Sequence, residues 1–368
     1  MSTRSIATLS KLAAVLVCTA GLAFSADVPG MSAGKVQLKS AGAMAFAPNG
    51  VLIVGDSTGG SVVALDVKDG SPANSGGNVQ IKGINEKIAA MVGTTPDQIL
   101  IQDVTVNPVS KHVYISVSRG RGPDAIPLIF WTDASGKLNE VPLDNVAHTT
   151  VNLPDAPSTT ATNSFGQNQR TQTITSLAYV DGNVIVAGLS NEEFSSTLHS
   201  IPFPFRDADK GTGVKIYHSS HAEYETEAPI RTFVPYQVNN RSYILAAYTC
   251  TPIVEIPVSD LKPGNKVTGT TVGNLGEGNR PLDMIAYTKG GHSYFLVANS
   301  SLGVIKVAVD HLDSNKAITT PSSGPAGFPM ETISSLQGVQ HLSKLDDSSA
   351  LVLVASGNST DLRTIPLP

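Results

Sequence analysis

The chain has 368 residues, of which 41% are hydrophobic and 15% charged, with 33 glycines, 23 prolines and a formal net charge of −5 at pH 7. A composition so rich in turn-forming residues and so poor in charge favours a large all-β domain. The acidic balance and the absence of a basic block exclude nucleic acid as a partner, because nothing could neutralise the phosphates.

The N-terminus has the features of an export signal. Arg4 and Lys11 precede an apolar run that ends at Phe24, and small residues suit cleavage between Ser25 and Ala26. We therefore predict a signal peptide (residues 1–25) and a single domain (residues 26–368) that is periplasmic or secreted. No later segment has about 18 consecutive apolar residues, so no transmembrane segment is expected.

The two cysteines constrain the redox chemistry. Cys18 would be the lipidated residue of a lipoprotein, an alternative that Val17 disfavours because Gly or Ala normally precedes such a cysteine. Removal of the signal leaves Cys250 alone, so no intramolecular disulfide can form and the core must stabilise the fold.

A pattern of three short apolar strands separated by turn residues occurs six times. The first copy is Ala43 to Val67, and later copies start at Asp103, Ser176, Thr232, Asp283 and Gly338. Six copies at a spacing of roughly 50 to 60 residues predict a six-bladed β-propeller. Seven blades are the alternative, with an irregular blade in residues 140–172 or 311–335.

The turns and strands within the copies agree with this architecture. Gly, Asn and Asp in the segments APNG, VDGN, VNNR, TKGG and KLDD supply the positive φ of tight hairpins. The second strands are almost continuously apolar, as in sheets buried on both faces. Each sheet therefore needs a neighbour on either side, which a closed ring provides.

Each blade is expected to have a fourth, outer strand. The segments NVQIKG, KLNEVPL, GVKIYH and KVTGTTV follow the first four copies and are assigned to them. The sixth copy ends at the C-terminus, so Gly34 to Ser40 (GKVQLKS) is predicted to complete it by pairing with Asp361 to Pro366. Deletion of residues 26–41 should then collapse thermal stability.

The connections between blades are the segments that differ most from one copy of the repeat to the next. The segment from Ile84 has apolar residues at helical spacing, and Thr95 before Pro96 resembles a helix N-cap. In a propeller, the loops after the second strands and the connections to the next inner strands share one rim, a usual location of binding groups. The candidate ligand-binding residues on this rim are Arg119, Arg121, Tyr248, Cys250, Asn279, Arg280, Asp283 and Asn299.

The segment HSSHAEYE is the densest group of metal ligands. His218, His221, Glu223 and Glu225 offer a mixture that suits Zn²⁺ or Cu²⁺, although strand-end and solvent contacts are the alternative.

A second group of oxygen ligands lies at the starts of inner strands. Asp103, Asn279 and Asp283 could bind Ca²⁺ there, but a buried network that caps those strand starts is favoured. A divalent metal ion (Ca, Zn or Cu) is thus the one cofactor suggested.

Other chemistries have less support. Arg119 and Arg121 in SRGRG suit a carboxylate or phosphate, but the segment lacks the spacing of a nucleotide-binding loop. The single Cys250 is more often an inert small hydrophobe than a nucleophile. Motifs of serine hydrolases, zinc proteases and c-type cytochromes are missing from the sequence.

The copies resemble the exported bacterial propellers with NHL, YVTN and lactonase-like repeats, particularly in APNG-VLIVGD and GGHSYFLVANSSLGVIKV. The stretches YHSSHAEYETEAPIRTFVPY and NRPLDMIAY resemble an exported family of uncharacterised function. This resemblance implies the fold and the compartment, and no site transfers with it. Two hypotheses follow. The first is a monomeric scaffold that binds a small molecule, an ion or a protein at the rim, and the second is a lactonase-like metal-dependent hydrolase using the same rim.

Overall fold

The computed structural model describes residues 28–73, 77–249, 251–310 and 317–368. The predicted signal peptide, which includes Cys18, and Cys250 lie outside these residues. The described residues form six β-sheets, which are the six blades of a β-propeller, so the six-bladed prediction is confirmed. Within the described ranges, no helix is long and apolar enough to cross a membrane.

The regular elements are short and follow one another closely. The strands are β1 (Ser32–Gly34), β2 (Met44–Ala47), β3 (Val51–Asp56), β4 (Ser61–Asp66), β5 (Gln80–Ile81), β6 (Ile99–Val106), β7 (Val113–Arg119), β8 (Ile126–Thr132), β9 (Leu138–Glu140), β10 (Val146–Asn152), β11 (Ser176–Val180), β12 (Asn183–Leu189), β13 (Ser196–Pro202), β14 (Thr212–His218), β15 (Glu223–Glu225), β16 (Ile230–Val238), β17 (Arg241–Tyr248), β18 (Pro252–Pro257), β19 (Lys266–Thr268), β20 (Thr270–Asn274), β21 (Pro281–Lys289), β22 (His292–Asn299), β23 (Gly303–Ala308), β24 (Met330–Ile333), β25 (Val339–Lys344), β26 (Ser349–Ser356) and β27 (Ser359–Pro366). The α-helix is α1 (Ile84–Val92), and 3₁₀ turns span Pro48–Gly50, Pro96–Gln98, Gln169–Gln172 and Val258–Asp260.

We number the blades by the chain order of their inner strands. Blade 1 contains β2, β3, β4 and β10, with β1 at its edge, and blade 2 contains β6 to β9. Blade 3 contains β11 to β15, blade 4 contains β16, β17, β18 and β20, and blade 5 contains β21 to β24. Blade 6 contains β25, β26 and β27, with β5 as its outer strand.

The second strands are buried as their sequences predict. All six residues of β3 are buried, as are the last five of β17 and β22. Six hydrophobic clusters lie between neighbouring sheets, so each blade covers the faces of the next. This sheet-on-sheet packing requires a closed ring, because an end blade would expose an apolar face.

The blades do not follow one another around the ring in chain order. The inner strands pack in the cyclic order β2, β6, β25, β21, β16 and β11, so blade 2 lies between blades 1 and 6. After β4 the chain first adds β5 to blade 6, then builds all of blade 2, and then returns with β10 to complete blade 1. Blades 1 and 6 are therefore each closed by a strand from a distant part of the sequence.

An earlier segment of the chain completes blade 6, as predicted. The prediction that this segment is Gly34 to Ser40 is wrong. Ile81 pairs with Leu362 and Gln80 with Arg363, so the NVQIKG segment belongs to blade 6 and not to blade 1. The two candidates, NVQIKG and GKVQLKS, have the same alternation of polar and apolar residues. Their sequences therefore cannot show which edge either one joins.

The segment Gly34 to Ser40 contributes to blade 1 instead. Strand β1 pairs with β10, and the amides of Lys39 and Ser40 each donate a hydrogen bond of 2.8 Å to the buried Asp56 carboxylate. Deletion of residues 26–41 should still destabilise the fold, but because it leaves Asp56 without these partners rather than because it opens the ring.

The other outer strands match the sequence in part. KLNEVPL and GVKIYH supply β9 and β14 as predicted. KVTGTTV supplies two strands, of which β20 completes blade 4 while β19 pairs in parallel with β14 of blade 3. The helical spacing from Ile84 is confirmed by α1, and Thr95 precedes a 3₁₀ turn without a capping bond from its side chain.

Candidate functional site

The inner strands of all six blades surround a cavity of about 240 Å³ at the mouth of the central channel. Each blade contributes residues to its wall, and those with polar chemistry include Asp103, Arg231, Asp283 and His341. Such a position, on rigid strands with loops around it, is a common location of ligand sites.

β-Bulges direct the polar side chains toward this cavity. In four inner strands the pairing with the second strand shifts by one residue, and the residue after the shift is Asp103, Thr232, Asp283 or His341. A bulge re-aims a side chain out of the regular alternation of a strand. These four residues therefore occupy equivalent positions in blades 2, 4, 5 and 6.

Both aspartates are fixed by backbone amides of the neighbouring blade. Asp103 accepts a hydrogen bond from the amide of Met44 in blade 1 (2.6 Å) and one from the next amide of its own strand (2.8 Å). Asp283 accepts bonds from the amide of Leu342 in blade 6 (2.8 Å) and from the next amide of its own strand (2.7 Å). The carboxylates thus connect adjacent blades and cap the strand starts, whereas Asn279, which was predicted to join them, donates to Leu275 O and lines the rim cavity instead.

His341 lies between the two aspartates. Its Nδ1 is 3.5 Å from Asp283 Oδ2 and 3.7 Å from Asp103 Oδ1, which is longer than a good hydrogen bond. The three side chains are 17–19% exposed, through the opening to the cavity. One carboxylate or imidazole atom of each residue lies within 4.8 Å of those of the other two. We call Asp103, Asp283 and His341 the channel triad.

Burial and like charge perturb the ionisation of the channel triad. Burial, followed by the charge of Asp283, raises the pKa of Asp103 to about 6. Burial lowers the pKa of His341, but the interaction with Asp283, followed by the charge of Asp103, more than offsets this, so the pKa is raised. Two negative charges within 4.8 Å of each other repel by about 3.5 kcal/mol or more at an effective dielectric constant near 20. The channel mouth therefore favours a bound cation or proton.

Arg231 lines the same cavity. The Nε atom of Arg231 is buried, and this atom has no hydrogen-bond partner among the residues that the structure describes. Burial, and then the charge of Arg280, lower the pKa of Arg231. Arg231, in the channel cavity, and Arg280, in the rim cavity, are therefore close enough to repel each other.

A second cavity of about 320 Å³ lies on the rim itself. It is lined by Ser220, His221, Thr249, Thr251, Glu277, Gly278, Asn279 and Arg280. These residues come from the β14–β15 loop, the β17–β18 loop and the connection between β20 and β21. Three of the predicted site residues, His221, Asn279 and Arg280, therefore meet here, as the rim geometry of a propeller requires.

The predicted metal ligands form a compact group beside this rim cavity. Glu225 bonds to His218 Nδ1 at 2.8 Å and to His221 Nδ1 at 2.5 Å, and donor atoms of the three residues lie within 4.8 Å of one another. Burial raises the pKa of Glu225, but hydrogen bonds and charge from both histidines outweigh it, so the pKa is lowered. Glu223 is exposed and lies outside the group. We call His218, His221 and Glu225 the loop cluster.

The remaining predicted residues are placed elsewhere. Arg121 donates to the backbone oxygen of Asp97 (3.0 Å), away from the rim cavity, and Arg119 ends strand β7. Tyr248 is fully buried in the core, where burial raises its pKa well above the usual range. Asn299 accepts bonds from the amides two and three residues later (2.9 and 3.1 Å), so it shapes a turn.

The sequence analysis missed His341 and Arg231 as site residues. An alignment of the inner strands would have found His341, because QDV, LDM and QHL place Asp103, Asp283 and His341 at one position of the repeat. Arg231 sits one residue before that position in blade 4, and no motif distinguishes it from a surface arginine.

Comparisons with known proteins identify no family. No protein-family model matches the chain, and no curated protein matches its sequence. A crystal structure of glucose dehydrogenase is 12% identical and has a TM-score of 0.39, with coverage of 92% of this chain and 100% of that one. The apo soluble aldose sugar dehydrogenase of Escherichia coli is 13% identical with a TM-score of 0.34 and the same coverage. A streptogramin B lyase is 7% identical with a TM-score of 0.34, covering 92% and 97% of the respective chains. Likeness at this level carries no inference about chemistry.

Proposed function

We propose that this protein is an exported, monomeric binding scaffold that holds a small polar ligand in the rim cavity. The observation that carries the proposal is the convergence of three separate loops on one cavity of about 320 Å³. A cavity of that volume is at the lower end of the range for ligand pockets, which favours a small molecule over a protein segment.

The rim cavity offers Arg280 to a negatively charged group of a ligand and Glu277 to a hydrogen-bond donor. Arg280 has no carboxylate within ion-pair distance in the part of the chain that the structure describes, so its guanidinium is available to an anionic group. Thr249, Thr251 and Asn279 also line the cavity, and they already donate hydrogen bonds to Pro229 O, Asn274 Oδ1 and Leu275 O, respectively, which fixes their side chains. Because these groups sit on rigid blades, a ligand would meet a largely preformed site.

A thermal-shift screen with small carboxylic acids, amino acids and sugars tests the proposal. A ligand at 100 times its Kd adds about 2.7 kcal/mol of stability, which is a shift of about 4 °C for a chain of this length. Arg280→Ala should abolish the shift, whereas Arg241→Ala, on an exposed hairpin at the start of β17, should retain it. An equal shift in both variants, or none in the wild type, contradicts binding at the rim.

A lactonase-like metal-dependent hydrolase is the second candidate. It is favoured by the loop cluster, which with the adjacent Glu223 contains the predicted metal ligands, and whose His221 also lines the rim cavity. A metal there could activate water beside a ligand held by Arg280. The test is lactone and ester hydrolysis by metal-loaded protein, with His221→Ala expected to lose activity. Absence of metal-dependent hydrolysis in the wild type would reject this candidate.

Export and oligomeric state are tested separately. N-terminal sequencing of the protein recovered from the periplasm or medium should begin at Ala26. Light scattering of the purified protein should give the mass of one chain.

A further inference from the structure

We infer that the channel triad, Asp103, Asp283 and His341, binds a divalent transition-metal ion of the zinc type. The site is distinct from the loop cluster and lies among the inner strands rather than in a rim loop. The inference does not depend on whether the rim cavity binds a ligand.

The separations of the donor atoms match those of a metal site. In a tetrahedral site with bonds of about 2.1 Å, ligand atoms lie about 3.4 Å apart. His341 Nδ1 is 3.5 Å from Asp283 Oδ2 and 3.7 Å from Asp103 Oδ1. Donor atoms of the two aspartates lie within 4.8 Å of each other, so a bound ion would draw the two carboxylates closer together.

The carboxylates are already oriented for coordination. Asp103 Oδ1 and Asp283 Oδ2, the oxygens nearest His341, each accept one backbone hydrogen bond of 2.8 Å. A carboxylate oxygen has a further lone pair, which is the one a metal would use. The amide bonds then serve as the outer contacts that commonly fix metal-binding carboxylates.

The charge of the channel triad also favours a dication. Within the described residues, the ion pairs of Asp103 and Asp283 involve no lysine or arginine, and the histidine between them is their one cationic partner. Arg231 lines the same cavity without pairing to either aspartate. Two partly buried carboxylates that lack a fixed cation are a costly arrangement, which a bound metal ion relieves.

The loop cluster fits a metal less well. Its carboxylate–imidazole distances are 2.8 Å and 2.5 Å, which are hydrogen bonds rather than the edges of a coordination shell. A metal in the loop cluster, which the second candidate function requires, would first have to replace both hydrogen bonds, whereas the channel triad has no such bonds between its members.

The composition of the channel triad selects the class of ion. Two carboxylates and one imidazole suit zinc and related ions, whereas Ca²⁺ takes six to eight oxygen ligands. Three protein ligands leave the fourth position open toward the cavity of about 240 Å³, where water or an anionic ligand near Arg231 could bind.

Calorimetric titration of chelator-treated full-length protein with Zn²⁺ tests the inference. We expect one ion per chain in the wild type and an affinity reduced about 100-fold or more in His341→Gln, since changes to outer contacts alone cost 10- to 100-fold. His292→Gln, which removes an exposed imidazole at the start of β22 outside both cavities, is the matched control and should bind like the wild type.

Cobalt substitution of the wild type provides a measurement that needs no variant. Co²⁺ in the channel triad should give the intense visible absorption of a tetrahedral site with nitrogen and oxygen ligands. If circular dichroism shows that His341→Gln does not fold, Asp103→Asn is used in its place, and the same loss of Zn²⁺ affinity is expected. The inference is overturned by a wild type that binds no Zn²⁺ tightly, by equal Zn²⁺ affinities of His341→Gln and His292→Gln, or by Co²⁺ that remains octahedral.

Discussion

Replacement of Ile81 by alanine tests the unusual closure of blade 6. Ile81 is 3% exposed and lies opposite Leu362, which is fully buried. Truncation of a buried isoleucine to alanine costs about 3 kcal/mol, from lost apolar burial and from the cavity left behind. At an unfolding entropy of about 0.7 kcal/mol per kelvin for this length, Tm should fall by about 4 °C.

Differential scanning calorimetry with a matched control separates closure from a general effect of the substitution. Ile126 also lies in a strand but is 49% exposed, so Ile126→Ala should cost about 1 kcal/mol or less. In a double-mutant cycle, Ile81→Ala and Leu362→Ala should be non-additive by about 1 kcal/mol because the side chains share one cluster. Additive effects, or equal shifts for Ile81→Ala and Ile126→Ala, would refute the assignment of β5 to blade 6.

Two further predictions concern buried contacts away from the site. Burial raises the pKa of Asp155, but the hydrogen bond and charge of the buried His199 outweigh burial, so the pKa is lowered. The ionised Asp155 therefore stabilises the fold above pH 3.8, and this stabilisation disappears as the pH falls below 3.8. Denaturant titrations should show a smaller acid-side loss of stability in Asp155→Asn than in the wild type, because other carboxylates such as Glu225 also have lowered pKa values, and an equal loss in both would contradict the assignment. A Cβ at Gly188 would lie 1.9 Å from the backbone oxygen of Thr173, so Gly188→Ala should lower Tm by several degrees. Gly324→Ala, which meets nothing within 4 Å, should leave Tm unchanged, and similar values for the two variants would show that the collision does not occur.

Two blades of the ring, blades 1 and 6, are each completed by a strand that is distant in sequence. Strands β2 to β4 and β10 are separated by all of blade 2, and β25 to β27 are separated from β5 by most of the chain. Neither blade 1 nor blade 6 can be complete until distant segments have met. Because such long-range contacts form late, we expect these two blades to limit the rate of folding.

Part of the site follows from the sequence because repeat position determines the rim of a propeller. His221, Asn279 and Arg280 were predicted to share that rim, and they line one cavity. The same reasoning placed Asp103 and Asp283 at the starts of inner strands but did not include His341, although His341 occupies the equivalent position in blade 6. Tyr248 and Asn299 also sit in rim-side positions, yet packing and local hydrogen bonds give them structural roles.

The sequence by itself predicted six blades, with seven as the alternative, because apolar periodicity and turn residues are local properties that repeat six times. It also determined which strands are buried on both faces, since an uninterrupted apolar run has no other stable position. Only the tertiary structure decided which outer strand joins which blade. Short edge strands such as NVQIKG and GKVQLKS carry the same pattern, and their partners are chosen by the path of the chain and by packing across the ring. For the same reason only the folded ring brings Asp103, His341 and Asp283 together, because blade 2 takes its place beside blade 6.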